Sequence, residues 1–243
     1  MTVSTHYPLP YGLARLQARV GELPTAAEWT RLRACEGVGP FLEAARRGPM
    51  RGWLTSLDSR SGSHDIERQL RHSLSRQIEE LTQWLPGAWH PALRWMGFLP
   101  YLEIFAYLSQ DGQVYPWMRE DMVLFHYLTP GPGSERPDFE ALPASWVDGW
   151  YRRLPPGSDR ERKVREKFGP PLLGAAGIID EAGHGDGWQL QQPLQARLLG
   201  LFHRHCTTPL AAFAYLGLIL LQTRLLRAEL QRRLLFPVQG VVS

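Results

Sequence analysis

Two clusters in this sequence hold side chains able to bind a metal or move a proton. His203, His205 and Cys206 fall close together, and His64, Asp65 and Glu67 stand ahead of a long amphipathic run. Imidazole, thiolate and carboxylate are the usual ligands of zinc. Residues two apart on a helix face different ways, so His203 and His205 share one ion only if the helix ends between them. Polar residues at a helix terminus are the simpler reading. For the second cluster, a place in the first turn of a helix gives Asp65 a capping and dipole role that needs no ligand. The run Gly183-His184-Gly185-Asp186-Gly187 resembles a phosphate loop only in its glycines, with no Lys-Ser or Lys-Thr after it and no strand before it. No G-x-S-x-G motif occurs. That absence says little about catalysis, because triads assemble in space rather than along the chain.

The aromatic middle of the chain, from Trp89 to Tyr127, could with His126 line a ligand cage. Aromatics at helical spacing more simply fill core volume. The spacing predicts helices over roughly 88–97, 100–109 and 116–128, each opened or broken by a proline (Pro91, Pro100, Pro116).

The element that must position all of these is the last long apolar run, Thr207 to Phe236. Thr207 and Thr208 offer hydroxyl caps, and Pro209 suits a first helical position. From Leu210 to Leu221 almost every side chain is apolar, which requires burial on all sides. Beyond Gln222 the pattern turns amphipathic, with Leu225, Leu226, Leu230 and Leu234 set against Arg224, Arg227, Arg232 and Arg233. An apolar run of about a dozen residues is short for a bilayer core, which needs about twenty. The expectation is a central core helix whose arginine-bearing end reaches a surface or a partner.

Earlier helices are expected over 11–22, over 25–36 and over 63–85. Thr25 and Glu28 have capping-box spacing, and Ser63 is placed to cap the third of these. Two short helices, over 40–47 and 50–57, flank Gly48-Pro49. Later ones are expected over 143–154, 158–168 and 192–206, and Ser158 and Glu161 form a second box. Two stretches, 129–142 and 169–187, are rich enough in glycine and proline to read as flexible loops. No stretch alternates apolar and β-branched residues for long enough to make a strand. The fold class is therefore all-α, a single multi-helix domain. Three Leu-Pro pairs each followed by a tryptophan (Trp29, Trp89, Trp146) hint at a degenerate repeat, or at shared helix-start chemistry.

The totals agree with a folded chain. Its 243 residues are 44% hydrophobic and 21% charged, which excludes global disorder. A net charge of +3 is too small to argue for nucleic acid, and all the basic residues but Lys163 and Lys167 are arginine. Cys35 and Cys206, in no ligand spacing, imply neither a disulfide framework nor a zinc knuckle. The opening MTVSTHYPLPYG lacks the build of a signal peptide, so a cytoplasmic location is the default expectation.

Two segments carry a resemblance. Tyr11-Gly12-Leu13-Ala14-Arg15-Leu16-Gln17-Ala18-Arg19 resembles the opening helix of the C/d family of V-type ATPase subunits, with its tyrosine followed by an Ala-Arg pair. Ala214-Tyr215-Leu216 through Arg224-Leu225-Leu226-Arg227 resembles that family's closing helix. There, a tyrosine is followed by an acid two turns on and then by Arg-Asn-Leu-Arg. Gln222 stands here where the family has the acid, and Leu225 where it has the asparagine, while Arg224 and Arg227 match. The chain is also shorter than typical members.

The resemblance implies a funnel-like helical bundle with pseudo-repeats and no catalytic residues or cofactor. Proteins of that family join a central stalk to a membrane rotor ring in proton or sodium transport, peripheral on the cytoplasmic face. Arg15, Arg19, Arg224 and Arg227 are then the candidates for contact with carboxylates of neighbouring subunits. The alternatives are that these arginines pair within the bundle, and that the chain is a helical interaction or scaffold protein unrelated to ATPases.

Overall fold

The computed structural model describes residues 9–129, 141–177 and 187–236, with the side chains of 187–190 outside that description. All regular structure among them is helical. The central element is the last helix, α13 in chain order (Leu210–Leu235), in which every residue from Leu210 to Thr223 is buried. By length and composition it could cross a membrane, yet 89% of its most apolar 18-residue window is covered by the rest of the protein. It begins without the hydroxyl cap that the threonines offer: the Thr208 hydroxyl donates instead to the His205 carbonyl at 3.1 Å.

Two long helices and one short one pack directly on this rod: α4 (Ser63–Trp84), α12 (Gly187–Arg204) and α11 (Gly169–Ala176). Gly217 makes the close approach possible. A Cβ there would lie 2.9 Å from Leu198 of α12 and 3.0 Å from Leu172 of α11. The α4 stripe, Ile66, Leu70, Leu74, Ile78 and Leu81, is buried as the spacing predicts. Gly62, not Ser63, occupies the N-cap, and Asp65 reaches back to accept the Gly62 N–H at 3.1 Å.

The helix α11 corrects the expectation of a loop from 169. Its Pro170 and Pro171 sit in the first turn, where a missing N–H costs nothing. Leu172, Leu173, Ala175 and Ala176 are buried against α13. Burial outweighs a glycine content that reads as loop. The helix ends at Gly177, whose φ of 84° is the left-handed conformation of a glycine C-cap. Residues 178–186 of that expected loop, and 130–140 of the other, lie outside the described residues.

At the amino end, α1 (Leu9–Gly21) packs on α4 and α13. Gly12 lets its backbone meet the end of α4, since a Cβ there would fall 2.3 Å from the Trp84 carbonyl oxygen. Next, α2 (Ala26–Arg33) carries the full Thr25–Glu28 box, and α3 (Val38–Arg46) buries Phe41 and Leu42. A 3-10 turn over Pro49–Trp53 stands where a short α-helix was expected.

In the middle, α5 (His90–Trp95) leads through a 3-10 segment to α6 (Leu102–Ser109). The helix expected over 116–128 is two: α7 (Pro116–Glu120) and α8 (Met122–Leu128). Asp121 separates them in an extended conformation, its carboxylate accepting from the N–H groups of Val123 (3.0 Å) and Leu124 (3.2 Å). It is an N-cap hidden inside an apolar-periodic run. Then α9 (Ala144–Arg153) buries Trp146 and Trp150 completely, and α10 (Asp159–Glu166) opens on the Ser158–Glu161 box.

Candidate functional site

The four arginines singled out by the resemblance all make contacts within the bundle. On α1, the Arg15 guanidinium lies 4.4 Å from the centre of the Trp84 ring, and Arg19 pairs with Glu80 of α4 at 2.9 Å. Together they fasten α1 to α4. On α13, Arg224 donates to the carbonyls of Gly174 (3.0 Å) and Ala175 (3.3 Å), completing the C-terminus of α11. Arg227 reaches Glu67 of α4 (3.3 Å) and Glu103 of α6 (3.7 Å). These groups are partly exposed, and each ties one helix to another.

The largest departure from the sequence reading is Arg233, expected on the solvated side of α13. Its side chain is only 3% exposed. It pairs with Glu229 at 2.6 Å and donates to the backbone carbonyls of Leu32, Arg33 and Cys35 at 3.1–3.3 Å, while its guanidinium lies 4.2 Å from the centre of the Phe41 ring. These carbonyls sit at the C-terminal end of α2, where the helix runs out of regular donors, so a guanidinium is the natural cap. Glu229 also takes Arg33 at 2.8 Å and Arg232 at 3.2 Å. Burial alone would raise its carboxyl, but Arg233 and Arg33 outweigh that and hold it below the ordinary range.

Gln222, where the resembling family has an acid, is wholly buried and accepts from the Trp29 indole at 2.6 Å. A neutral amide avoids the buried cation that a carboxylate there would need, but its Nε2 is left buried without a hydrogen-bond partner. Leu225 is buried as well. These two departures therefore lie inside the core.

A second constellation sits where α4 faces α6, α7 and α8; the sequence singles out His64, Glu67, Arg227 and the aromatic middle among its residues but does not join them into one site. A cleft of about 580 Å³ opens there. It continues into a more open trough of about 540 Å³ beside Tyr107 and Tyr115. The two share His64, Glu103, Ile104 and Trp117. At the base is Arg71, its guanidinium 4.8 Å from the centre of the Tyr101 ring and 5.7 Å from that of Trp117. Asp121 (3.6 Å) and Glu67 (3.5 Å) flank it. Tyr101 donates to Asp121 at 3.0 Å, and burial together with that carboxylate holds its hydroxyl well above the ordinary phenol range. The Glu67 and Asp121 carboxylates at the base thus both face Arg71, and Asp121 also holds the Tyr101 hydroxyl. The signal in the sequence was Arg71 and Asp121 themselves, far apart and without a motif to join them.

The remaining candidates separate. His64 packs at a tilt of 36° on Trp117 with centroids 5.4 Å apart, while Asp65 pairs with Arg68 at 2.7 Å. His203 is in the last turn of α12, but His205 lies beyond it, packed 5.5 Å from Phe168. His126 is tied to the Met122 carbonyl of its own helix at 2.7 Å. Among the described residues no three His, Cys, Asp or Glu side chains converge as a metal site. Gly183 to Asp186 lie outside the described residues. No protein-family model, no curated protein and no solved structure matches this chain.

Proposed function

We propose that this chain is a non-catalytic connector of the kind found in the C/d family of V-type ATPase subunits. It would link a central stalk to a membrane rotor ring, peripheral on the cytoplasmic face, with the other subunits of a rotary ATPase as its partners and neither cofactor nor nucleic acid involved. One observation supports this reading above others. The segments that carry the resemblance, in α1 and over residues 214–227 of α13, lie far apart in sequence yet both fasten to α4, through Arg19–Glu80 on one and Arg227–Glu67 on the other. The shared residues thus brace a common frame, and a connector that transmits torque needs a braced frame more than a reactive group.

The test is recovery of the tagged full-length chain from membranes solubilised in mild detergent. Co-elution of rotary ATPase subunits is the expected result. A chain found wholly in the soluble fraction, with no other ATPase component attached, overturns it. A second reading, a helical interaction or scaffold protein unrelated to ATPases, is favoured by Gln222 and Leu225, which stand buried in this core where the family has an acid and an asparagine. Under that reading the purified chain forms a defined complex lacking rotor subunits.

A further inference from the structure

Charge concentrates on and around α10. Residues 152–167 hold seven basic side chains against Asp159, Glu161 and Glu166, and they include both lysines of the sequence. Helix α10 buries none of its residues, and its charges sort by face. Arg165 turns back onto the bundle, 5.6 Å from the centre of the Trp89 ring and donating to the Pro155 carbonyl. Glu161 closes the box with Ser158, and Asp159 pairs with Arg162 at 3.2 Å. Arg160, Lys163 and Lys167 stand at i, i+3 and i+7, which is one face of the helix. Asp159, Arg162 and Glu166 repeat that spacing on the face beside it, so the cation stripe carries no acid of its own. Beyond Lys167 the stripe continues: Phe168 packs 5.5 Å from His205, which brings the end of α12 alongside, and Arg204 with it. Arg160, Lys163, Lys167 and Arg204 are all exposed, and none has an ion-pair partner among the described residues.

The surroundings of the stripe narrow its occupant. Among the described residues no exposed Trp, Tyr or Phe stands on α10 or at the end of α12, although base stacking and protein hot spots both draw on such rings. A nucleic-acid groove enclosing α10 would also bring phosphates onto Asp159 and Glu166. A planar array of anionic headgroups asks for neither ring nor groove, only for cations on one side. We infer that the stripe of Arg160, Lys163, Lys167 and Arg204 holds this chain directly against an anionic membrane surface. The inference does not rest on the rotary-motor reading, in which partner subunits bring the chain to the membrane.

Co-sedimentation of the purified full chain with protein-free vesicles tests it, one set made of phosphatidylcholine alone and one with phosphatidylserine added. Binding should be confined to the anionic set and fall with added salt. A basic residue near such a surface contributes about fivefold in affinity, so Lys163→Gln/Lys167→Gln should weaken binding about twentyfold and Arg204→Gln about fivefold. Arg31→Gln/Arg47→Gln removes the same charge from exposed positions at the ends of α2 and α3, by the far end of α13. It should change binding by about twofold or less, since its charges lie beyond screening range of the stripe. Circular dichroism confirms that each variant stays folded, and Arg204→Gln, outside α10, keeps the test open to failure if the lysine pair disturbs that helix. Equal binding to both vesicle sets, binding to neither, or the same loss from both double variants overturns the inference. So does tighter binding to a random-sequence DNA duplex than to anionic vesicles, since the stripe would then serve a nucleic acid.

Discussion

Arg232 and Arg233 are neighbours of the same type, both within 3.2 Å of the same carboxylate, Glu229, and they differ in burial: 57% of the Arg232 side chain is exposed against 3% for Arg233. Replacing each in turn isolates what burial contributes. In Arg233→Met the methionine keeps much of the aliphatic stem's packing, but the carbonyls of Leu32, Arg33 and Cys35 lose their guanidinium donor. Glu229 keeps Arg33 and Arg232, so its charge is not stranded. Removing one partner of a buried pair costs about 3–5 kcal/mol when the other is left uncompensated. With Glu229 still paired, the expectation is the lower end, about 3 kcal/mol, much of it from the α2 carbonyls left short of donors.

Arg232→Met removes an exposed i,i+3 pair, and such pairs contribute about 0–1 kcal/mol. Urea unfolding followed by circular dichroism measures both, with a common slope licensing the comparison of midpoints. If Arg233→Met is as mild as Arg232→Met, the guanidinium is not the cap of α2 and the inward turn of the α13 terminus is wrong.

Three further outcomes are expected. Gly12→Ala places a Cβ 2.3 Å from the Trp84 carbonyl oxygen. Overpacking of this kind costs about 1–3 kcal/mol, offset by roughly 1 kcal/mol of better helix propensity, so urea unfolding should show a net loss of about 0–2 kcal/mol. His205 has its imidazole held below the ordinary 6.5, first by burial and then by Arg204 and Lys167. A lowered folded-state pKa gives stability that is whole above the unfolded value and lost as pH falls through the folded one. The wild type should therefore lose stability below about pH 6.5, and His205→Gln should reduce that slope; an unchanged slope in urea midpoints between pH 8 and 5 refutes the assignment. Gln222→Glu restores the acid of the resembling family at a position with no solvent exposure. Its folded pKa should rise above the unfolded value, so the variant should be near wild-type stability at low pH and lose stability as pH rises through the raised pKa, read by the same midpoints at pH 4 and 8.

Most of the helical frame was legible because its cause is local. The Thr25–Glu28 and Ser158–Glu161 boxes state their helix starts within four residues, and the α4 stripe repeats often enough to fix its buried face. Helix α11 was illegible for the opposite reason. Three glycines and two prolines within 169–177 argue for a loop until α13 supplies the surface that buries Leu172 and Leu173. The α7–α8 break was hidden because Asp121 interrupts a run whose apolar period continues across it. The Arg71 cleft joins residues from separate elements through burial, and no spacing rule addresses that.

The arginines show where sequence reasoning stops. Periodicity places Arg224, Arg227 and Arg233 off the leucine stripe of α13, and a charge off the stripe reads as solvated. Yet three separate sets of acceptors wait for them: the C-terminus of α11, the Glu67–Glu103 pair, and the C-terminus of α2. A helix end facing the core must find donors for its last carbonyls, and a long cationic side chain on the central rod can reach it. Helices α2 and α11 thus end against α13 because it carries the groups that terminate them.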